Sequence, residues 1–295
     1  MCEYRRTQAA SAQDFATGEL QLATALQQTE QGSVTRGIEG NAKFQGNPNF
    51  VLSLARGLKV IETFEGHTEG RSVAEVARQT GLSRAAVRRL LMTLELLGYA
   101  ESSGRIYRLN TRVLKLGFSY LSSTSLPAIA QPILEHVTEV LHESSSLSVL
   151  DGHETVYLAR SSAKRVMSVG LSVGSRLPAY CTSMGRVLLA ALPEADLAWH
   201  LASVELKAFT PKTVADKARL LDVLQGVRSE GFALADEELE LGLRSIAVPV
   251  KGRQNRVVAA MNIGVHAARV SCQEMIDRFL PVLRENAHMF VHLLG

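Results

Sequence analysis

The sequence predicts an α+β protein in two parts: an N-terminal winged helix-turn-helix domain, joined by a helix to a larger mixed α/β domain. Three observations carry this expectation. Residues 72–100, SVAEVARQTGLSRAAVRRLLMTLELLGYA, hold two helix-start signals separated by a glycine-containing turn. Directly after them, YAESSGRIYRLN reads as two short strands around Ser-Ser-Gly. Beyond residue 125, hairpin patterns are mixed with long apolar-periodic helices. A chain of 295 residues with 46% hydrophobic content is long enough to bury two cores of ordinary size.

Composition narrows the function class before any motif does. The net charge of +3 is modest, but it is unevenly spread. From Arg71 to Arg112 there are eight arginines, no lysine and three glutamates, a local +5, so the remainder of the chain is slightly acidic. Cys2, Cys181 and Cys272 are too few and too scattered for a disulfide framework or a zinc site. No metal and no cofactor are therefore expected, and a reducing cytoplasm fits best. The N-terminus lacks the apolar region of a signal peptide, and no stretch approaches 18 uninterrupted apolar residues, so neither secretion nor membrane insertion is indicated.

The elements follow in chain order. Residues 1–48, rich in Gln, Thr, Ser, Ala and Gly, bury too little to offset the entropy of ordering and are expected to form a flexible tail. The first domain is expected over 49–110. Ser53 is the expected N-cap of LARGLKVIETF, whose Leu54, Leu58, Ile61 and Phe64 share one helix face. Ser72-Val-Ala-Glu75 matches a capping box, which starts a second short helix with Val73, Val76 and Ala77 inward. Thr80-Gly81-Leu82 supplies the turn, Ser83 caps a third helix, and Gly98 stands at its left-handed end.

On that third helix Val87, Leu90, Leu94 and Leu97 form the expected buried stripe, and Arg84, Ala85, Arg88, Arg89 and Met92 fall on the other side. This is the chemistry of DNA reading. A guanidinium bonds guanine O6 and N7 through two parallel donors or holds phosphate, and Ala85 permits close approach to a thymine methyl. The candidate DNA-binding residues are Ser83, Arg84, Ala85, Arg88 and Arg89, with Arg105 and Arg108 of the wing beside the phosphate backbone. The expected partner is double-stranded operator DNA.

A linker helix is expected over 111–124, apolar at Val113, Leu114, Leu116, Gly117 and Leu121 and suited to packing against a second subunit. The second domain is expected over 125–295. Pro127 and Pro132 mark the entry to a helix ending near His142. SLSVLDGHETVYLAR gives a hairpin through Asp-Gly-His-Glu, and 246–250 with 257–265 flank KGRQNR as another. Residues 270–294 form the terminal helix.

An anion site is expected at the start of a helix over 181–191, where Thr182, Ser183, Met184 and Gly185 follow the loop GSRLPAY. Strand alternation puts Leu243, Ser245 and Ala247 on one face, and likewise Asn262 and Gly264. Asn262 interrupts the apolar run VVAAMNIGV, and a buried amide needs partners. Arg176 and Arg244 are candidates to meet a carboxylate, Arg244 being equally suited to bracing the sheet. An enzymatic alternative rests on Cys181 as a nucleophile at a helix N-terminus, served by Asp151 or His153. No nucleophile elbow, phosphate loop, paired metal ligands or HExxH motif accompanies it.

The segments SRLPAYCTSMGRVLLA (175–190) and DEELELGLRSIAVPV (236–250) resemble the two signature regions of the effector domain of the IclR family of bacterial transcription regulators. The resemblance covers roughly Phe50 to the C-terminus. RAAVRRLL (84–91) with AYCTSMGR is similar to the subgroup that governs protocatechuate, 4-hydroxybenzoate and β-ketoadipate catabolism. It departs from the family at Ala85-Ala86, where many members carry Ser-Thr, so hydroxyl contacts made there do not carry over. The resemblance implies a GAF-like effector-binding domain with a pocket at Ser183, Met184, Ala235, Leu243, Ser245, Asn262 and Gly264. It implies a regulator that senses a small carboxylate effector, works as a homodimer or homotetramer, and contacts RNA polymerase if it activates. The alternative is a DNA-binding protein whose C-terminal domain only oligomerises.

Overall fold

The computed structural model describes residues 47–163 and 171–294. The expected tail therefore lies almost wholly outside the described residues. The chain divides into two compact units, before and after Thr124.

In the first unit α1 (Leu52–Glu62), α2 (Val73–Thr80) and α3 (Arg84–Leu96) pack around Val60, Phe64, Val76, Val87, Leu91 and Leu94. A three-stranded sheet flanks them, with strand order β1 (Arg71–Ser72), β3 (Ile106–Leu109), β2 (Ala100–Ser103), all antiparallel. The turn between α2 and α3 uses Gly81 at φ 73°, as a sharp reversal between helices requires. Two cations stitch the unit together. Lys59 is buried and its Nζ donates to Thr80 O at 3.2 Å, satisfying a carbonyl at the end of α2. Arg71 donates to Thr63 O and to the Gln79 amide oxygen.

The capping box forms: Glu75 N donates to Ser72 Oγ at 3.3 Å, and Ser72 N donates to Glu75 Oε2 at 2.7 Å. Ser72→Ala is expected to cost about 1 kcal/mol, read as a lowered urea midpoint with unchanged slope; an unchanged midpoint would show that water replaces the cap at no cost.

Three expectations for this unit need correction. The N-cap of α1 is Val51, not Ser53, and it makes no side-chain cap bond. Leu54 and Leu58 are 62% and 47% exposed, because α1 turns Val60 and the Lys59 stem inward instead. In α3, Leu91 fills the core while Leu97 is 51% exposed, because the helix ends there and Gly98, at φ 76°, redirects the chain into β2. A 3₁₀ turn at Thr111–Val113 leads into α4 (Leu114–Ser123), where Leu114, Leu116, Phe118 and Tyr120 are all exposed.

The second unit is built on a six-stranded antiparallel sheet. Its strands are β4 (Ser144–Asp151), β5 (Glu154–Ser161), β6 (Arg176–Pro178), β7 (Ala233–Asp236), β8 (Leu243–Lys251) and β9 (Val257–His266), in the order β6-β5-β4-β9-β8-β7. One face is apolar: Leu147, Ile246, Val248, Met261 and Ile263 pack against α5 (Leu126–Leu141) and the C-terminal α9 (Leu280–Leu293). α5 runs through Pro132 and stops at His142, φ 57°. α9 is entered through a short turn at Cys272–Glu274 and a π-helical turn at Met275–Phe279, so the continuous terminal helix expected from the sequence is locally rewound.

The other face carries α6 (Ser183–Ala190), every residue of which is buried, followed by α7 (Glu194–Ser203) and α8 (Lys217–Glu230). α6 lies so close to the preceding 3₁₀ turn that a Cβ on Gly185 would stand 2.1 Å from Ala179 O, so only glycine fits. A buried ion pair fixes the same helix: Arg186 Nη1 and Nη2 meet Glu238 Oε1 and Oε2 at 2.5 and 2.6 Å, and Arg186 Nε donates to Tyr180 O at 2.8 Å.

The β4–β5 turn is held to α7 by two histidines. His153 and His200 bring their Nδ1 atoms to 3.3 Å, with His153 stacked beside Trp199. Burial, and secondarily the neighbouring His153, holds His200 down to about 4. The unfolded chain titrates near ~6.5, so the stability carried by neutral His200 is complete above that value and is lost as pH falls through the folded value. Denaturation midpoints followed from pH 7.5 to 4.5 should decline less steeply in His200→Gln than in the native chain. Parallel declines would show that other groups set the acid limb.

Candidate functional site

The first unit presents a basic surface. Arg84, Ala85, Arg88 and Arg89 are exposed along α3, away from its buried Val87, Leu91 and Leu94. Among the described residues none of these three arginines is engaged in an ion pair, so the guanidinium donors remain available. Ser83 is spent locally: its Oγ accepts from Ala86 N at 3.2 Å and fixes the start of the helix. Arg105 is exposed beside Gly104 at the wing tip, and Arg108 sits 3.7 Å from the exposed carboxylate of Glu69. Ser102 of the wing donates to Glu95 of α3 at 2.6 Å, which couples hairpin and helix. Sequence reasoning passed over exposed Arg78 on α2 and over Arg112, whose guanidinium lies 5.4 Å from the Tyr99 ring centre.

In the second unit the sheet face under α6 is unlike its apolar reverse. Register aligns Ser144, Gly264, Ser245 and Ala235 in one row across β4, β9, β8 and β7. The next row is Arg160, Ser146, Asn262 and Ala247 across β5, β4, β9 and β8. Small and hydroxylated side chains thus carpet the area where α6 begins. Ser183 Oγ donates to Ser245 Oγ at 2.8 Å, and Ser148 Oγ donates to Met184 Sδ at 3.2 Å. Leu243 Cδ1 reaches 4.0 Å from where a Cβ on Gly264 would stand. The structure therefore brings Ser183, Met184, Ala235, Leu243, Ser245, Asn262 and Gly264 to one face.

Two of the other candidates are used by the fold. Thr182 is the N-cap of α6, accepting from Gly185 N at 3.3 Å and donating to Pro178 O at 3.1 Å. Gly185 is demanded by the backbone of Ala179.

Both arginines expected to meet a carboxylate are committed elsewhere. Arg176 pairs with Asp151 at 2.6 Å and Glu154 at 2.7 Å, and its register with Val156, itself opposite Val149 of the apolar face, puts it on the reverse of the sheet. Arg244 alternates with Ser245, so it also points to the reverse, where it binds Asp236 at 2.6 Å and the carbonyls of Ala267 and Val270. The bracing role is the one it has.

Arg160, Tyr157, Ser146 and Ser148 were missed from the sequence. Strict alternation would separate Tyr157 and Arg160, three residues apart, onto opposite faces. A bulge in β5, opposite Leu147/Ser148, brings them to the same one, Tyr157 opposite Ser148 and Arg160 opposite Ser146. Burial pushes the Tyr157 phenol up to about 12, and burial lowers the Arg160 guanidinium. The readable hint was the serine-rich strand SSSLS at 144–148.

The Cys181 alternative has no geometry behind it. The thiol is fully buried, burial pushes it well above the usual thiol range, and its nearest acceptor is Pro178 O at 3.8 Å. Asp151 is held by Arg176 and His153 by His200. Among the described residues no group of three or more His, Cys, Asp or Glu could hold a metal ion, and no helix is long and apolar enough to cross a membrane.

Comparison with known proteins agrees with both units. Residues 53–104 match the model of the IclR helix-turn-helix domain, and residues 118–291 match that of the bacterial transcriptional regulator IclR C-terminal domain. The Pca regulon regulatory protein of Pseudomonas putida is 47% identical over 252 residues, 85% of this chain and 87% of the relative. A transcriptional regulator of Rhodococcus sp. RHA1 has a crystal structure that superposes with a TM-score of 0.73 at 46% identity, covering 83% of this chain and 98% of that one. The inducer-binding domain of an Acinetobacter PobR double mutant, solved with 3-hydroxybenzoic acid, superposes with a TM-score of 0.54 at 37% identity over 57% of this chain and 97% of that one. With a winged helix-turn-helix that exposes its arginines, an effector-type sheet domain, and family matches across both, the chain belongs to the IclR family of bacterial transcription regulators, not to an enzyme family.

Proposed function

We propose that the chain is a ligand-responsive regulator of aromatic-acid catabolism that binds its effector, a small carboxylate such as 4-hydroxybenzoate, protocatechuate or β-ketoadipate, on the sheet face beneath α6. The observation that carries this reading is the lining itself. A helix fully buried on a sheet is ordinarily seated on large apolar side chains, whereas here the strands supply Ser146, Ser148, Ser245, Asn262, Ala235 and Gly264. The PobR inducer-binding domain solved with 3-hydroxybenzoic acid supports the ligand class.

Arg84, Arg88, Arg89 and Ala85 enter the major groove, Arg105 and Arg108 hold the phosphate backbone, and Ser83 fixes the helix that presents them. A homodimer, alone or paired into a homotetramer, sets two such heads on one operator. The apolar side chains of α4 support that assembly, since Leu114, Leu116, Phe118 and Tyr120 are exposed among the described residues. Effector binding shifts the population between arrangements of the heads. The chain works in the cytoplasm, and as an activator it would contact RNA polymerase.

Calorimetric titration of the full chain with the three acids tests the reading, and absence of heat with all of them would leave the second unit as an oligomerisation module alone. Ser245→Ala removes the hydroxyl that accepts from Ser183. It is expected to weaken effector binding about tenfold while operator affinity in the absence of effector is unchanged. Loss of operator binding in a gel shift would mark Ser245 as structural instead.

A further inference from the structure

With Arg176 and Arg244 facing the reverse of the sheet, the proposed effector site needs another counter-charge. Arg160 has the required position and the required vacancy. It shares a row with Ser146 and Asn262, and its Nη1 donates to Ser146 Oγ at 3.0 Å. Its Nε is buried without a partner, and among the described residues no carboxylate pairs with it. Burying a guanidinium beside neutral hydroxyls costs stability, since the charge loses water and gains no opposite charge. Two strands away in the same row, Asn262 is 8% exposed and its Oδ1 is likewise buried without a partner. An unmet donor and an unmet acceptor therefore flank Ser146 from the strands on either side of β4, about 10 Å apart across the row.

Resting on the reading that this face holds the effector, we infer that Arg160 anchors the effector carboxylate and that Asn262 Oδ1 accepts from an effector hydroxyl. The ligand class is then a hydroxylated carboxylic acid small enough to lie along the row beneath α6. Arg160 Nε–H and its remaining guanidinium donors meet the carboxylate as charge-assisted bonds, with Ser146 orienting the fork. The Tyr157 ring, on the same face, supplies an apolar wall. A simple diacid without a hydroxyl would satisfy Arg160 and leave the Asn262 oxygen buried and unmet, which selects against it.

The test is calorimetry on the full chain with 4-hydroxybenzoate, 4-hydroxybenzamide, benzoate and β-ketoadipate. The native protein should bind the hydroxy acid about 30-fold more tightly than its uncharged amide, and more tightly than benzoate or β-ketoadipate. Arg160→Gln should bring the acid-to-amide ratio to within about threefold, and Arg160→Lys should restore part of it because the charge returns without the fork. Asn262→Leu should erase the advantage of 4-hydroxybenzoate over benzoate. Equal binding of acid and amide by the native chain, or an equal loss of both in Arg160→Gln, overturns the Arg160 assignment. Tightest binding of β-ketoadipate overturns the Asn262 assignment and leaves the regulator reading intact. No binding of any of the four by the native chain overturns the ligand site itself.

Discussion

Changing Arg88 and Arg89 together to alanine is expected to weaken operator binding by about 30-fold or more, with no change in the unfolding midpoint. Both residues are exposed on α3, which is anchored independently by Val87, Leu91 and Leu94. Alanine favours the helix at least as well as arginine, so the fold has nothing to lose there. At the DNA each guanidinium that reads a base contributes about 1–3 kcal/mol, and two distinct bases add nearly independently. Single substitutions assign the roles. A base contact, when lost, relaxes preference at one operator position, whereas a phosphate contact, when lost, weakens binding to all sequences and lowers the salt slope by about one unit. Wild-type affinity in the double variant would remove α3 from the interface.

The largest expected effect on stability comes from Glu238→Ala. Arg186 and Glu238 are 2% and 7% exposed and meet through two hydrogen bonds, and Glu238 Oε2 also accepts from Val214 N at 3.0 Å. Removing the carboxylate strands a buried guanidinium, which is expected to cost roughly 3–5 kcal/mol. The loss should fall on the second unit and be read in its urea unfolding. The double variant Arg186→Met/Glu238→Leu should recover much of it, since neither charge is then left alone. A cost below about 1 kcal/mol in the single variant would mean that water reaches Arg186 and the pair is not isolated.

Much of the first unit was legible because its signals are local. The capping box, Gly81, the cap at Ser83 and Gly98 each depend on neighbours within a few residues, and each stands where the spacing put it. The orientation of Leu54, Leu58 and Leu97 was not legible, because a row of leucines states a preference for burial without naming what covers it. In the second unit alternation correctly gathered Leu243, Ser245, Asn262 and Gly264 but failed at Arg160. A one-residue bulge reverses every later side chain in its strand, and no residue in VYLAR announces it. Arg176 failed for a different reason. Its acidic partners, Asp151 and Glu154, are far away in sequence and meet it only through strand pairing.

The stack of Trp199 on His153 gives the molecule its own optical probe. Trp199 is the single indole in the chain, and it lies with ring centres 5.8 Å from an imidazole on the β4–β5 turn. An imidazolium quenches indole emission far more than neutral imidazole does, so fluorescence excited at the indole band reports the charge and seating of that turn without any label. A single-channel titration can thus follow this corner of the second unit in the intact regulator, on DNA or off it.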